Sequence, residues 1–242
     1  MMTLDERYKH DKNRWAFLIP AAGSGIRLGQ GPKCFLTLGG EMLWQRAVRR
    51  AHEVAAEVVL AVPSEGIEEV RRLNPPCRII EGGATRHKTI ECLLAAVSAN
   101  NVFIHDVARP FGSYRLMLEV ASRVELTGAA GCYTKIDTPL VLKQKGAVME
   151  FQSSNNGLGM VNSPLAFTKE ILIKSYRMAR EMGYDAQSSV ELVFRAGAKF
   201  LLADGESDNI KITYSSDYRL ACMMVEAWDI IENEKRVNAS LF

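Results

Sequence analysis

Trp15-Ala16-Phe17-Leu18-Ile19-Pro20-Ala21-Ala22 runs directly into Gly23-Ser24-Gly25-Ile26-Arg27-Leu28-Gly29, with Pro32-Lys33 close behind. An unbroken apolar run of this length, without polar alternation, reads as a strand buried on both faces. Glycines at its end read as a turn where backbone N–H groups come close to a ligand. A buried strand opening into a glycine loop is the first unit of an open α/β sheet.

Working outward, the pattern alternates. Helical spacing of Leu43, Ala47, Val48, Ala51, Val54 and Ala55 predicts a helix over 43–56. Val58-Val59-Leu60-Ala61-Val62 is a second buried strand closed by Pro63. A helix over 64–73 follows, with Ser64 as its N-cap and Glu65, Glu68 and Glu69 near its start. Strands are expected at 78–82, 101–107, 129–136, 200–203 and 210–213. Helices are expected at 85–99, 114–126, 168–182, 187–196 and from 215 or 216 to about 233. Residues 137–161, with Gly146, Gly157, Gly159 and short apolar pieces, read as a protruding β-hairpin arm. The fold class is therefore α/β, a Rossmann-like, mostly parallel sheet. Its organisation is a flexible extension over 1–14, a core over 15–136 and 162–242, and the arm over 137–161. Ligands of such sheets bind at the carboxyl ends of the strands, here the loops at 21–33, 82–86, 105–110 and 204–213.

Composition narrows the class. The chain has 242 residues, 48% hydrophobic and 24% charged, with a net charge of +2. That excludes a disordered or disulfide-stapled chain and gives no bulk attraction to nucleic acid or anionic membrane. Five scattered cysteines, none in a CxxC pair, read as reduced thiols and offer no zinc spacing. The first fourteen residues lack the apolar core of a signal peptide, and no apolar run is long enough for a membrane span, so a cytoplasmic location is expected.

The glycine loop fits neither common nucleotide motif. The third glycine of GxGxxG is displaced, and the next strand ends too far on to supply the acidic ribose ligand. Gly31-Pro32-Lys33-Cys34 lacks the Lys-Ser/Thr pair of a P-loop. A plain turn would explain the glycines but not the flanking Arg27 and Lys33. A cationic loop over a triphosphate explains both: Arg27 can fork onto phosphate oxygens and Lys33 can oppose charge developing at phosphorus.

Four motifs in order, AAGSGIRLG…PKCFLTLGG, GGATRHKTIECLLAAV, VFIHDVARPF and DGESDNIKITYSSDYRLA, resemble the 2-C-methyl-D-erythritol 4-phosphate cytidylyltransferase family and its ribitol-phosphate relatives. The resemblance covers about residues 15–230. It implies transfer of CMP from CTP to a small phosphorylated polyol, a step of isoprenoid biosynthesis, with release of pyrophosphate. It implies that Ala21, Ala22, Gly23, Gly25, Gly82, Gly83 and Thr89 bind the nucleotide, and that Arg27, Lys33 and Lys211 are catalytic. It further implies that Asp106 and Asp208 hold Mg²⁺, that Arg109, Thr138 and Thr213 face the acceptor, and that the arm builds a homodimer.

Four positions depart from the family pattern. The spacing from Arg27 to Lys33 is one residue short, and an acceptor-binding arginine is replaced by Asn155. A Thr-Asp pair becomes Gln187-Ser188, and a Thr-Pro-Gln becomes Ser163-Pro164-Leu165. The nucleotide half is kept and the acceptor half is altered. Other acceptors (ribitol 5-phosphate or a phosphonate), another base such as UTP, and a non-catalytic nucleotide binder stay open at this point.

Overall fold

The computed structural model describes residues 10–25, 28–29, 31–153 and 157–240, with side chains described through residue 235. Seven strands form one sheet: β1 (Trp15–Pro20), β4 (Glu57–Val62), β5 (Arg78–Glu81), β6 (Asn101–Ile104), β7 (Ala129–Lys135), β10 (Gly159–Thr168) and β11 (Leu201–Asp204), in the order β11-β7-β10-β6-β1-β4-β5. All neighbours pair parallel except β10, which is antiparallel to both β6 and β7. Two small hairpins lie outside it, β2 (Thr37–Leu38) with β3 (Glu41–Met42), and β8 (Leu140–Gln144) with β9 (Ala147–Gln152).

Both faces of the sheet are covered, which is why its strands read as continuous apolar runs. Trp15, Phe17 and Ile19 point to one side with Val58, Leu60, Val62 and Phe103. They meet α1 (Leu43–Val54), α2 (Ile67–Arg72), α4 (Tyr114–Thr127) and α7 (Ser215–Ser240). Ala16 and Leu18 point the other way with Val59, Ala61, Val102 and Ile104, against α3 (Arg86–Ala95), α5 (Lys169–Met182) and α6 (Ser189–Arg195). Phe103 is fully buried, and Phe103→Ala would cost about 3–5 kcal/mol on the scale of large core truncations.

Several expectations are corrected. Residues 10–14 do not trail away: His10 Nε2 bonds the carbonyl of Val54 at 2.6 Å, and the Ala56 N–H donates to Lys12 O. Ser64 does not cap a long helix. It starts a short 3-10 turn, and α2 begins at Ile67. Residues 210–213 form no strand; the Ile212 N–H donates to Ala108 O outside any ladder. β10 was hidden by polar Asn162-Ser163-Pro164 at its centre. The ladder with β7 shifts register there, between Asn162 and Leu165, and so absorbs a proline that a regular central strand excludes. Because β10 starts at Gly159, opposite Lys135, residues 159–161 lie in the main sheet rather than in the hairpin. That hairpin turns at Lys145-Gly146, both at positive φ, the geometry of a two-residue turn that suits twisted strands.

Candidate active site

The chain runs β1, β4, β5 toward one edge, then crosses back to β6 on the other side of β1. Loops leaving β1 and β6 therefore diverge, and a crevice opens at the carboxyl ends of these strands. A cavity of about 740 Å³ lies there. Its wall comes from residues 20–25 and Lys33 after β1, residues 83–86 and Thr89 around the start of α3, residues 106–108 after β6, and Lys211.

The glycine turns are shaped by close approach. At Gly25, φ is +68° and an added Cβ would lie 1.9 Å from the carbonyl oxygen of Gly31, so only glycine fits. An added Cβ at Gly82 would lie 2.1 Å from the Cβ of Ala22. The first and second glycine turns are thus in direct contact and frame one end of the cavity. Thr89, buried in α3, holds this frame: its hydroxyl accepts from the Gly83 N–H at 3.0 Å and lies 3.0 Å from Thr85 O. Thr85 caps α3 by accepting from the Lys88 N–H, so the positive end of that helix faces the same space.

Positive charge gathers at the other end. Pro32 leads into a 3-10 turn carrying Lys33, whose Nζ donates to Ile212 O at 2.9 Å. Asp106 sits between two cations. Lys211 Nζ is 2.7 Å from its Oδ2, and Arg86 Nη2 is 3.1 Å from its Oδ1. Burial alone would raise the Asp106 pKa, but the Arg86 guanidinium and Lys211 ammonium overcome it and hold the carboxyl well below the ordinary range. The Asp106 N–H donates to Ser163 Oγ at 3.1 Å, so the bulge in β10 fixes the backbone that carries the carboxylate.

The structure thus gathers Ala21, Ala22, Gly23, Gly25, Lys33, Gly83, Thr89, Asp106 and Lys211 around one cavity, with Gly82 directly behind Ala22. Arg27 and Asn155 lie outside the described residues. The remaining expected residues do not line the cavity. Arg109 donates from Nη1 to Asn209 O at 2.7 Å and from Nη2 to Asn162 Oδ1 at 2.5 Å. Thr213 donates its N–H to Asp217 Oδ2 at the start of α7. Thr138 is exposed in the connection between β7 and β8, and Asp208 is half-buried beyond the wall. Sequence reasoning missed Arg86, Ser163 and Asn209. Arg86 had a readable signal, a cation directly after a capping threonine at the end of a strand. Asn209, whose Nδ2 donates to Ser163 O at 2.8 Å, had only its place in the fourth motif, and Ser163 only its departure from the family pattern.

Magnesium takes most of its ligands from phosphate and water and needs only one or two carboxylates. Asp106 offers one such hard oxygen donor in the cavity wall; among the described residues no three His, Cys, Asp or Glu side chains converge elsewhere. The donor set fits a shared ion, held jointly with phosphates, rather than a protein-only cage.

A family model described as IspD: 2-C-methyl-D-erythritol 4-phosphate cytidylyltransferase matches residues 15–227. The chain belongs to this family. It is a nucleotidyltransferase by that membership. The Deinococcus radiodurans protein of the same description is 35% identical over 227 residues, covering 92% of this chain and 96% of that one. A Thermus thermophilus protein, again of that description, is 36% identical over 213 residues, covering 87% and 97%. A crystal structure of the cytidylyltransferase from Thermus thermophilus superposes with a TM-score of 0.76 at 31% identity, over 87% of this chain and 98% of that one. Among the described residues no helix is long and apolar enough to cross a membrane.

Proposed function

We propose that this chain transfers CMP from CTP to 2-C-methyl-D-erythritol 4-phosphate and releases pyrophosphate. The observation that carries this reading is a single cavity with a tight glycine frame at one end and Lys33, Lys211 and Arg86 around Asp106 at the other. A frame in which the Ala22 methyl closes on the Gly82 backbone admits a pyrimidine more readily than a purine. The cations lie where a triphosphate would extend from it.

An oxygen of the acceptor phosphate attacks the α-phosphorus in line; the new O–P bond forms as the bond to pyrophosphate breaks. The attacking oxygen is already anionic, so no general base is required. Catalysis is placement and charge. Lys33, Arg27 and Lys211 oppose the negative charge on the α-phosphate and leaving group. Asp106 would hold Mg²⁺ together with phosphate oxygens, and the ion would supply further neutralisation of the triphosphate. The acceptor role that the resemblance gives Arg109 would be indirect, since Asn162 and Asn209 hold its guanidinium away from the cavity.

The arm completes the reading. Val141, Leu142, Val148, Met149 and Phe151 of the hairpin, with Met160 and Val161, are all exposed in one protomer. A patch of this kind calls for a partner, and a second copy meets it through a twofold interface.

The test is pyrophosphate release with each of the four ribonucleoside triphosphates, with and without Mg²⁺, against methylerythritol phosphate, ribitol 5-phosphate and simple alkyl phosphonates. Transfer only from CTP, with methylerythritol phosphate the best acceptor and no turnover without the metal, is expected. Faster turnover of ribitol 5-phosphate or a phosphonate would reassign the acceptor.

A further inference from the structure

Two arginines of α1 are buried away from the cavity. Arg46 is 1% exposed and Arg50 6%. Both reach the back of the segment that carries Asp106 and Arg109. Arg46 Nε donates to Pro110 O at 3.0 Å, and Arg50 Nη2 donates to Gly112 O at 3.2 Å. Their charges are met by Glu41, 3.1 Å from Arg46, by Glu53, 3.2 Å from Arg50, and from the C-terminal helix. Arg46 pairs with Asp229 at 2.5 Å and Arg50 with Glu232 at 2.8 Å. Trp228 lies between the pairs, its ring 5.2 Å from the Arg46 guanidinium and 5.1 Å from that of Arg50. Glu232 also accepts from the Tyr114 N–H at 2.7 Å. Glu206, on the segment leading to Lys211, accepts from the Ser113 hydroxyl at 2.6 Å.

We propose that Arg46 and Arg50, set by Asp229 and Glu232, are positioning residues that hold residues 105–113 in register for the transfer step. Asp229 and Glu232 lie past residue 227, where the family match ends, so the proposal brings C-terminal turns beyond that match into the activity. Buried ion pairs are no better as stabilisers than well-packed apolar side chains of the same volume. What guanidiniums add is directed N–H groups, here spent on two carbonyls of the loop behind the site. The base frame at 21–23 and 82–89 stands on other elements and is independent of this clamp.

The inference rests on the proposed reaction, and its test separates the two. In the full chain, Arg50→Met with Glu232→Leu replaces one pair by apolar side chains. Glu53 and the Tyr114 N–H lose a partner in this variant, so its melting temperature should fall somewhat. Positioning predicts in addition that, at temperatures where the variant is fully folded, transfer from CTP to methylerythritol phosphate is slowed about tenfold or more. Amide exchange should quicken within residues 105–113, and not only at Tyr114, which loses its own acceptor, and CTP affinity without acceptor should stay parental. Parental turnover together with parental exchange overturns the proposal. So does a loss of CTP affinity in step with turnover, since general loosening then explains both. Should that variant not fold, Asp229→Asn, at a side chain 37% exposed, carries the same readouts and the same overturning outcomes. A parent without turnover on this substrate pair would count against the substrate reading alone; exchange within 105–113 would still decide the clamp.

Discussion

Lys211 Nζ lies 2.7 Å from Asp106 Oδ2, across 105 residues of chain. The pair joins the loop after β6 to the extended segment that follows β11, and it leaves Asp106 with a cation on each oxygen. A triphosphate entering this cavity meets cations already held in place, so little reorganisation is needed when charge builds up at phosphorus.

Removing one of those cations should therefore reach the chemical step more than the fold. Lys33→Ala and Lys211→Ala are each expected to lower kcat about 10²–10³-fold, the range for losing one donor to a developing oxyanion. Arg27→Ala, whose role rests on the family resemblance, should act in the same range. A pyrophosphate-release assay with circular dichroism as the folding control checks this. Unchanged turnover in all three would mean that the loop is only a turn.

Gly82→Ala probes the base end. Its new methyl would meet the Cβ of Ala22 at 2.1 Å and must push the two turns apart. Overpacking of this kind costs about 1–3 kcal/mol, so CTP affinity should fall about tenfold or more. Calorimetry on parent and variant, with ATP and GTP as comparators, reads it. Equal parental affinity for CTP and ATP would remove the backbone frame as the source of base choice.

Replacing residues 140–152 by a short Gly-Ser turn should give a monomer that still binds CTP but no longer transfers CMP. Light scattering and the turnover assay report on the two halves of that statement. An intact protein that is monomeric at micromolar concentration and active would end both the interface and the part in the partner's acceptor pocket that the family resemblance gives the arm.

The cysteines should split by burial. Burial pushes the thiols of Cys34 and Cys132 up to about 12 and that of Cys77 to about 11, so almost no thiolate forms there at pH 8. Cys92 and Cys222 are exposed. Brief alkylation of the folded protein at pH 8, read by peptide mass spectrometry, should modify Cys92 and Cys222 first. Rapid labelling at Cys34 would mean that the turn carrying Lys33 opens readily.

Much of the sheet was legible because a strand buried on both faces announces itself as an apolar run, as at Trp15–Pro20 and Glu57–Val62. β10 was not, because polar residues and a proline interrupt it where it bulges to support Asp106. The first glycine turn and Lys33 were legible from residue type; Gly82, Gly83 and Lys211 were reached only through the family resemblance. Arg86 was a recoverable miss. Ser163, Asn209 and the Arg46–Asp229 and Arg50–Glu232 pairs were not recoverable: each joins positions far apart in sequence, and a buried polar contact of that kind leaves no local period to read. Arg109 had the right motif, yet its guanidinium is engaged by Asn162 and Asn209 rather than turned into the cavity.

The place of β10 also bears on the order in which the molecule is made. β6 and β7 are never neighbours; β10 lies between them. As the nascent chain leaves the ribosome, β1, β4, β5 and β6 can assemble with their helices. β7 must then wait, without a sheet partner, until the arm has been synthesised and residues 159–168 return. The arm is therefore a detour whose completion closes the main sheet, and a free chain truncated after residue 158 should show β7 cut readily by protease while β1 and β4 are protected.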